Sequence, residues 1–117
     1  MNWNKIKEDN AKAWKLLKEW NEYARYFLPN VRLSFLSAIQ MNETDTTKNN
    51  RFLFDFFDTK GIYIEIEYND EKQDGKEKLT WHYYINGSYY YNILQTRSEA
   101  EISAFTIAFK ILEQNSN

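Results

Sequence analysis

The chain lacks cysteine, and its 117 residues include one proline, three glycines and one histidine. The missing cysteine removes disulfides, thiol catalysis and cysteine-ligated zinc together. Gly61, Gly75 and Gly87 all sit in turn-like contexts, which leaves no glycine-rich loop to cradle a phosphate. A Ser-His triad would have to use His82, and no serine occupies a strand-to-helix elbow. No cofactor motif is present. No apolar run approaches the roughly 20 residues that span a bilayer. The opening Met1-Asn2-Trp3-Asn4-Lys5 lacks the apolar segment of a secretory signal. The expectation is a cytoplasmic protein without a membrane partner. A net charge of −2 gives no basic footprint for nucleic acid.

Aromatic residues, by contrast, make up 18% of the chain, and the length suits one domain over 1–117. Lysine outnumbers arginine eleven to four and asparagine occurs thirteen times, a bias expected of an A/T-rich coding sequence. Residues 3–28 read as one amphipathic helix. Trp3, Ile6, Ala13, Leu17, Trp20, Ala24 and Phe27 recur at spacings of three and four, with Asn10 in the one polar slot. Pro29 closes it. From Val31 to Met41 the period falls to two, which predicts a strand, and 42–50 reads as a polar loop.

Phe52, Phe54 and Phe56 also alternate, which predicts a second strand over 51–57. A third runs from Ile62 to Tyr68. Asp58-Thr59-Lys60-Gly61 between them fits a type I turn followed by a left-handed glycine, a three-residue hairpin loop. That loop would set Asp55 opposite Glu65 and put the Phe row on one face with Ile62, Ile64 and Ile66. Asn69–Lys78 reads as a charged loop. Leu79, Trp81, Tyr83 and Ile85 alternate into a hairpin turn at Asn86-Gly87, which pairs Ile85 with Ser88, Tyr83 with Tyr90 and Leu79 with Leu94. Ser98-Glu99-Ala100-Glu101 has the form of a capping box opening a helix to about Gln114. Its alanines 100, 104 and 108 permit close approach to a sheet, and Phe105, Phe109 and Leu112 widen the apolar arc to two sides. The fold expected is α+β: a five-stranded antiparallel meander with N- and C-terminal helices packed on one face.

The segments Phe56-Phe57-Asp58 with Gly61-Ile62-Tyr63-Ile64, and Arg97–Glu101 with Ala104-Phe105 and Ala108–Glu113, resemble small uncharacterised proteins of Bacteroidetes genomes, phages and mobile elements. The resemblance covers the C-terminal half. It implies a setting, that of an accessory protein, and no chemistry.

Two constellations could carry function, both on the sheet face expected to lie away from the helices. Phe57, Tyr63, Tyr84, Tyr89 and Tyr91 supply aromatic area with hydrogen-bonding tips, the composition of a docking surface for a protein or for a second copy. The plainer reading is that tyrosine suits exposed strands. Acidic neighbours argue against single-stranded nucleic acid, which needs flanking lysine or arginine. Asp55, Glu65 and His82 could instead converge as metal ligands or divide acid and base roles in a small enzyme. Otherwise they fan into water. The reading preferred is a non-catalytic protein-interaction domain.

Overall fold

The computed structural model describes residues 1–27, 50–73, 76–94 and 96–116. Its described elements are α1 (Trp3–Asp9), α2 (Ala11–Phe27), α3 (Asn50–Thr59), β1 (Ile64–Gln73), β2 (Lys76–Ile85), β3 (Ser88–Leu94) and α4 (Arg97–Asn115). The strands form one antiparallel sheet in the order β1-β2-β3. The fold is α+β, but the expected five-stranded meander is overturned. The strand anticipated at 31–41 lies outside the described residues, and the one anticipated at 51–57 is helix α3.

The sequence of α3 satisfies two periods at once. Phe52, Phe54 and Phe56 alternate, but Phe52, Leu53, Phe56 and Phe57 are the residues buried, the i, i+1, i+4, i+5 set of a helix. Arg51 and Asp55 pair at 3.2 Å, one turn apart. The end of the helix explains the misreading. Gly61 has φ +72°, its N–H donates to Asp58 O at 3.1 Å, and the Ile62 N–H donates to Phe57 O at 2.9 Å. These are the two bonds of a Schellman cap, and buried Ile62 and Phe57 stand at the positions of its usual apolar contact. A type I turn plus left-handed glycine and a helical last turn plus left-handed glycine are locally the same conformation. Asp58–Gly61 therefore encodes a chain reversal without saying whether helix or strand enters it.

The charged stretch 69–78 is also not a loop. The β1–β2 ladder continues to Gln73↔Lys76, leaving two residues to connect the strands. Its register sets Glu71 against Lys78 and Lys72 against Glu77. Beyond Asn86-Gly87 the expected pairs Ile85↔Ser88 and Tyr83↔Tyr90 are present. The register then shifts, so that Trp81, not Leu79, faces Leu94. Three residues of β3 stand against His82 alone, a bulge that no turn rule announces.

The stripe of the first helix is in place from Trp3 to Trp20, and its continuation through the side chains of Ala24 and Phe27 and the expected stop at Pro29 lie outside the described residues, but the helix is broken. At Asn10 the backbone leaves helical geometry (φ −131°, ψ 55°), and the polar slot of the stripe is buried. Asparagine competes for local backbone groups, which suits it to an interruption. The freed Ala13 N–H at the start of α2 donates to Glu113 Oε2 of α4 at 2.8 Å, a carboxylate at the electropositive end of a helix.

Helix α4 is buried on two sides, as expected, because it packs against the sheet and against α2. Ser103 Oγ meets Tyr83 Oη at 3.1 Å on the sheet side. Phe105 and Phe109 meet Phe57 of α3 at ring-centroid distances of 6.2 and 5.0 Å, and Phe109 meets Trp3 of α1 at 6.1 Å. Ala100, Ala104 and Ala108 are completely buried. The helix starts two residues before the expected box. Thr96 is the N-cap, its Oγ1 accepting from the Glu99 N–H at 3.1 Å, while Ser98 lies inside the helix. Thr96-Arg97-Ser98-Glu99 has the same S/T-x-x-E form as the motif first read.

Two sets of substitutions check this architecture. Leu53→Ala should cost about 3 kcal/mol, since Leu53 is fully buried on α3, whereas an outward-facing strand residue would cost little. Thr96→Ala should cost about 1 kcal/mol and Ser98→Ala no more than about 0.5 kcal/mol. Urea melts read both; a larger loss at Ser98 than at Thr96 would return the cap to Ser98.

Candidate functional site

Residues directly opposite in an antiparallel pair share a face, so the registers sort the sheet into two sides. Ile64, Ile66, Tyr83, Ile85, Tyr90 and Leu94 face the helices, and Tyr83 and Ile85 are buried in the core. Glu65, Glu67, Thr80, His82, Tyr84 and Tyr89 face the other way.

This outer side has an ordered centre. Tyr84 and Tyr89 are paired across β2 and β3, with ring centroids 5.2 Å apart. The Tyr89 ring leans against the imidazole of His82 at 5.5 Å, and its hydroxyl lies 2.7 Å from Nδ1. His82 Nε2 lies 2.8 Å from Thr80 Oγ1. His82 and Thr80 are both buried. In the neutral ring one nitrogen donates to one hydroxyl while the other accepts from the second, and either tautomer satisfies the chain because hydroxyls do both. His82, expected either to converge with Asp55 and Glu65 or to fan into water, is instead the buried middle of a polar ladder, Thr80–His82–Tyr89. Its alternation was legible, but its burial was not.

Tyr89 remains 44% exposed above this ladder. Tyr63, 59% exposed, stands just before β1. Its N–H donates to Asn86 Oδ1 at 2.7 Å and its carbonyl accepts from the Asn86 N–H at 2.9 Å. Asn86 has φ 51° and Gly87 φ 82°, the left-handed pair required by the tight hairpin. The hairpin tip is thereby tied to the entry of β1, and Tyr63, Tyr84 and Tyr89 belong to one end of the sheet. Exposed Glu65 and Glu67 adjoin them, paired in register with Tyr84 and His82.

Phe57 does not belong to this surface. It is completely buried on α3 among Phe56, Phe105 and Phe109. The side chain of Tyr91 lies outside the described residues. The alternative cluster of Asp55, Glu65 and His82 does not assemble. Asp55 sits on α3, paired with Arg51, in a cleft also lined by Ile64 and Ile66, whereas Glu65 and His82 are on the opposite side of the sheet. Among the described residues no three His, Cys, Asp or Glu side chains gather as metal ligands. Among them, too, no helix is long and apolar enough to cross a membrane. No protein-family model, curated protein or solved structure matches the chain.

Tyr89→Phe tests the ladder. It deletes the hydroxyl at Nδ1 and keeps the ring, so stability should fall by about 1 kcal/mol. Thr80→Val, which removes the hydroxyl at Nε2 with little change of shape, should cost a similar amount. Less than additive loss in the double variant, read by urea melts, would show that the two hydrogen bonds act through the same imidazole.

Proposed function

We propose that this domain is a non-catalytic protein-interaction module that docks through Tyr63, Tyr84 and Tyr89 on the outer side of its sheet. The observation that carries the reading is the fixed posture of Tyr89: a large ring, nearly half exposed, held from beneath by a buried imidazole that is itself hydrogen-bonded. A surface ring serving only solubility needs no such support. A ring immobilised before association spares the partner the cost of ordering it, about 0.5–1.5 kcal/mol per side chain. Tyrosine combines that area with a polar tip, which suits an interface wetted when free and desolvated when bound.

The partner is a protein, either a different chain or a second copy. Exposed Glu65 and Glu67 beside the rings disfavour a nucleic-acid backbone. The resemblance of the C-terminal half adds a setting to this proposal, an accessory protein of a phage or mobile element acting in the cytoplasm.

The test is site-specific photo-crosslinking, with a benzophenone amino acid placed at Tyr63 and, as a control, at exposed Lys5 of α1. Position 63 should give a discrete adduct that position 5 does not. With purified protein alone that adduct would be a dimer; in the native host, a heteromer. Tyr84→Lys should abolish it while the protein still melts cooperatively, with no more than the loss of one cross-strand aromatic pair, about 1 kcal/mol. Absence of any position-specific adduct, in purified protein and in the host alike, overturns the reading.

A further inference from the structure

An apolar groove lies among the helices. Along α2, Leu16 and Trp20 are only half buried, and the Trp20 ring rests on Phe52 of α3 at a centroid distance of 6.4 Å. Two hollows adjoin there. One, of about 360 Å³, lies between α2 and the end of α3 and is lined by Leu16, Glu19, Trp20, Thr59 and Lys60. The other, of about 220 Å³, runs from Lys12 and Lys15 to Ser116 at the end of α4. Leu16 and Glu19 border both, so the two form one groove with a mainly apolar wall. Lys12, Lys15 and Lys60 stand exposed on its rim, and none makes an ion pair among the described residues.

This groove is the complement of the tyrosine side. Three lysines against Glu19 leave its rim positive, whereas Tyr63, Tyr84 and Tyr89 are flanked by exposed Glu65 and Glu67. Neither of those glutamates makes an ion pair among the described residues. A tyrosine side set against its own kind would bring the carboxylates together, and like charges across an interface suppress the contact. Set in the groove, the rings meet Leu16 and Trp20 while the carboxylates meet lysine. Tryptophan and tyrosine are the anchors that dominate interfaces, and such anchors pair with one another across them. A net charge of only −2 imposes little general repulsion between copies.

We infer that the tyrosine side of one copy docks in the α2 groove of a second copy of the chain. The pairing rests on the docking role proposed above for the tyrosines, and it names their partner. Self-association is then a contact between two unlike surfaces, each of which can be altered alone.

The test is sedimentation velocity on purified protein, with charge reversal on either surface. The wild type should associate as concentration rises, and less so as salt screens the lysine–glutamate contacts. Glu65→Lys with Glu67→Lys, and separately Lys12→Glu with Lys60→Glu, should each weaken association at least about tenfold, because like charges then face each other. An equimolar mixture of the two variants should associate again, since in it each surface finds one of opposite charge. All four residues are exposed and outside any ion pair among the described residues, and melting curves confirm that the variants fold. A strictly monomeric wild type, undiminished association of the variant at Lys12 and Lys60, or a mixture that associates no better than its components overturns the inference. A monomer whose position 63 crosslinks to a different protein in the host overturns this pairing alone and leaves the docking role standing; a monomer that gives no adduct at all overturns both.

Discussion

The packing of α4 against the other described elements is the contact on which the fold depends. The three described strands have an apolar face that must be covered, and a short interrupted N-terminal helix pair is marginal by itself. Helix α4 joins them because its two sides differ. Ser103 marks the side that meets Tyr83 of the sheet, Phe105 and Phe109 mark the side that meets α3 and α1, and the buried alanines lie on the arc between. Small residues there let backbone approach backbone, and the phenylalanines fill what remains. Glu113 extends the same helix's reach by capping the start of α2. Enlarging Ala104 would therefore disturb the sheet contact and the helical contact together, since overpacking a completely buried site forces backbone shifts.

What could be read from residues alone follows from how local each signal is. The Asn86-Gly87 hairpin was legible because its turn type needs two positive φ values and fixes the register of its flanks within a few residues. The α4 helix and its double burial were legible from periodicity, and its cap was displaced only because two S/T-x-x-E frames overlap, at Thr96 and Ser98. Helix α3 was not legible. Its phenylalanines satisfy alternation, Leu53 and Phe57 satisfy helical spacing, and Asp58–Gly61 ends either structure. Only the partners decide. Phe57 and Phe105 stack across to α4, which a strand in a meander could not have offered in that order. The continuation of β1 and β2 through a charged stretch was missed for the converse reason. Charge suggested a loop, whereas the ladder runs on through it to Gln73 and Lys76.

The change of α3 from strand to helix reassigns the chemistry as well. With Asp55 on a helix, the carboxylates once expected to crowd one sheet face divide between two sides of the molecule. Asp55 and Asp58 join arginines in a cleft on the helical side, while Glu65 and Glu67 remain with the tyrosines.

The sheet thus separates two kinds of surface, and β2 has buried residues on both. Along that one strand Tyr83 and Ile85 point into the core, while Thr80 and His82 point to the opposite side and are buried there too. The bulge in β3 falls opposite His82, where the ladder loses its regular pairing and a side-chain hydrogen bond between Tyr89 and the imidazole links the two strands instead. That substitution of a side-chain bond for a backbone register is what fixes the exposed ring of Tyr89. A bulge placed two residues nearer the hairpin would separate Tyr84 from Tyr89 and dissolve the surface, so the position of one irregularity in the ladder sets whether this end of the sheet can act as an interface.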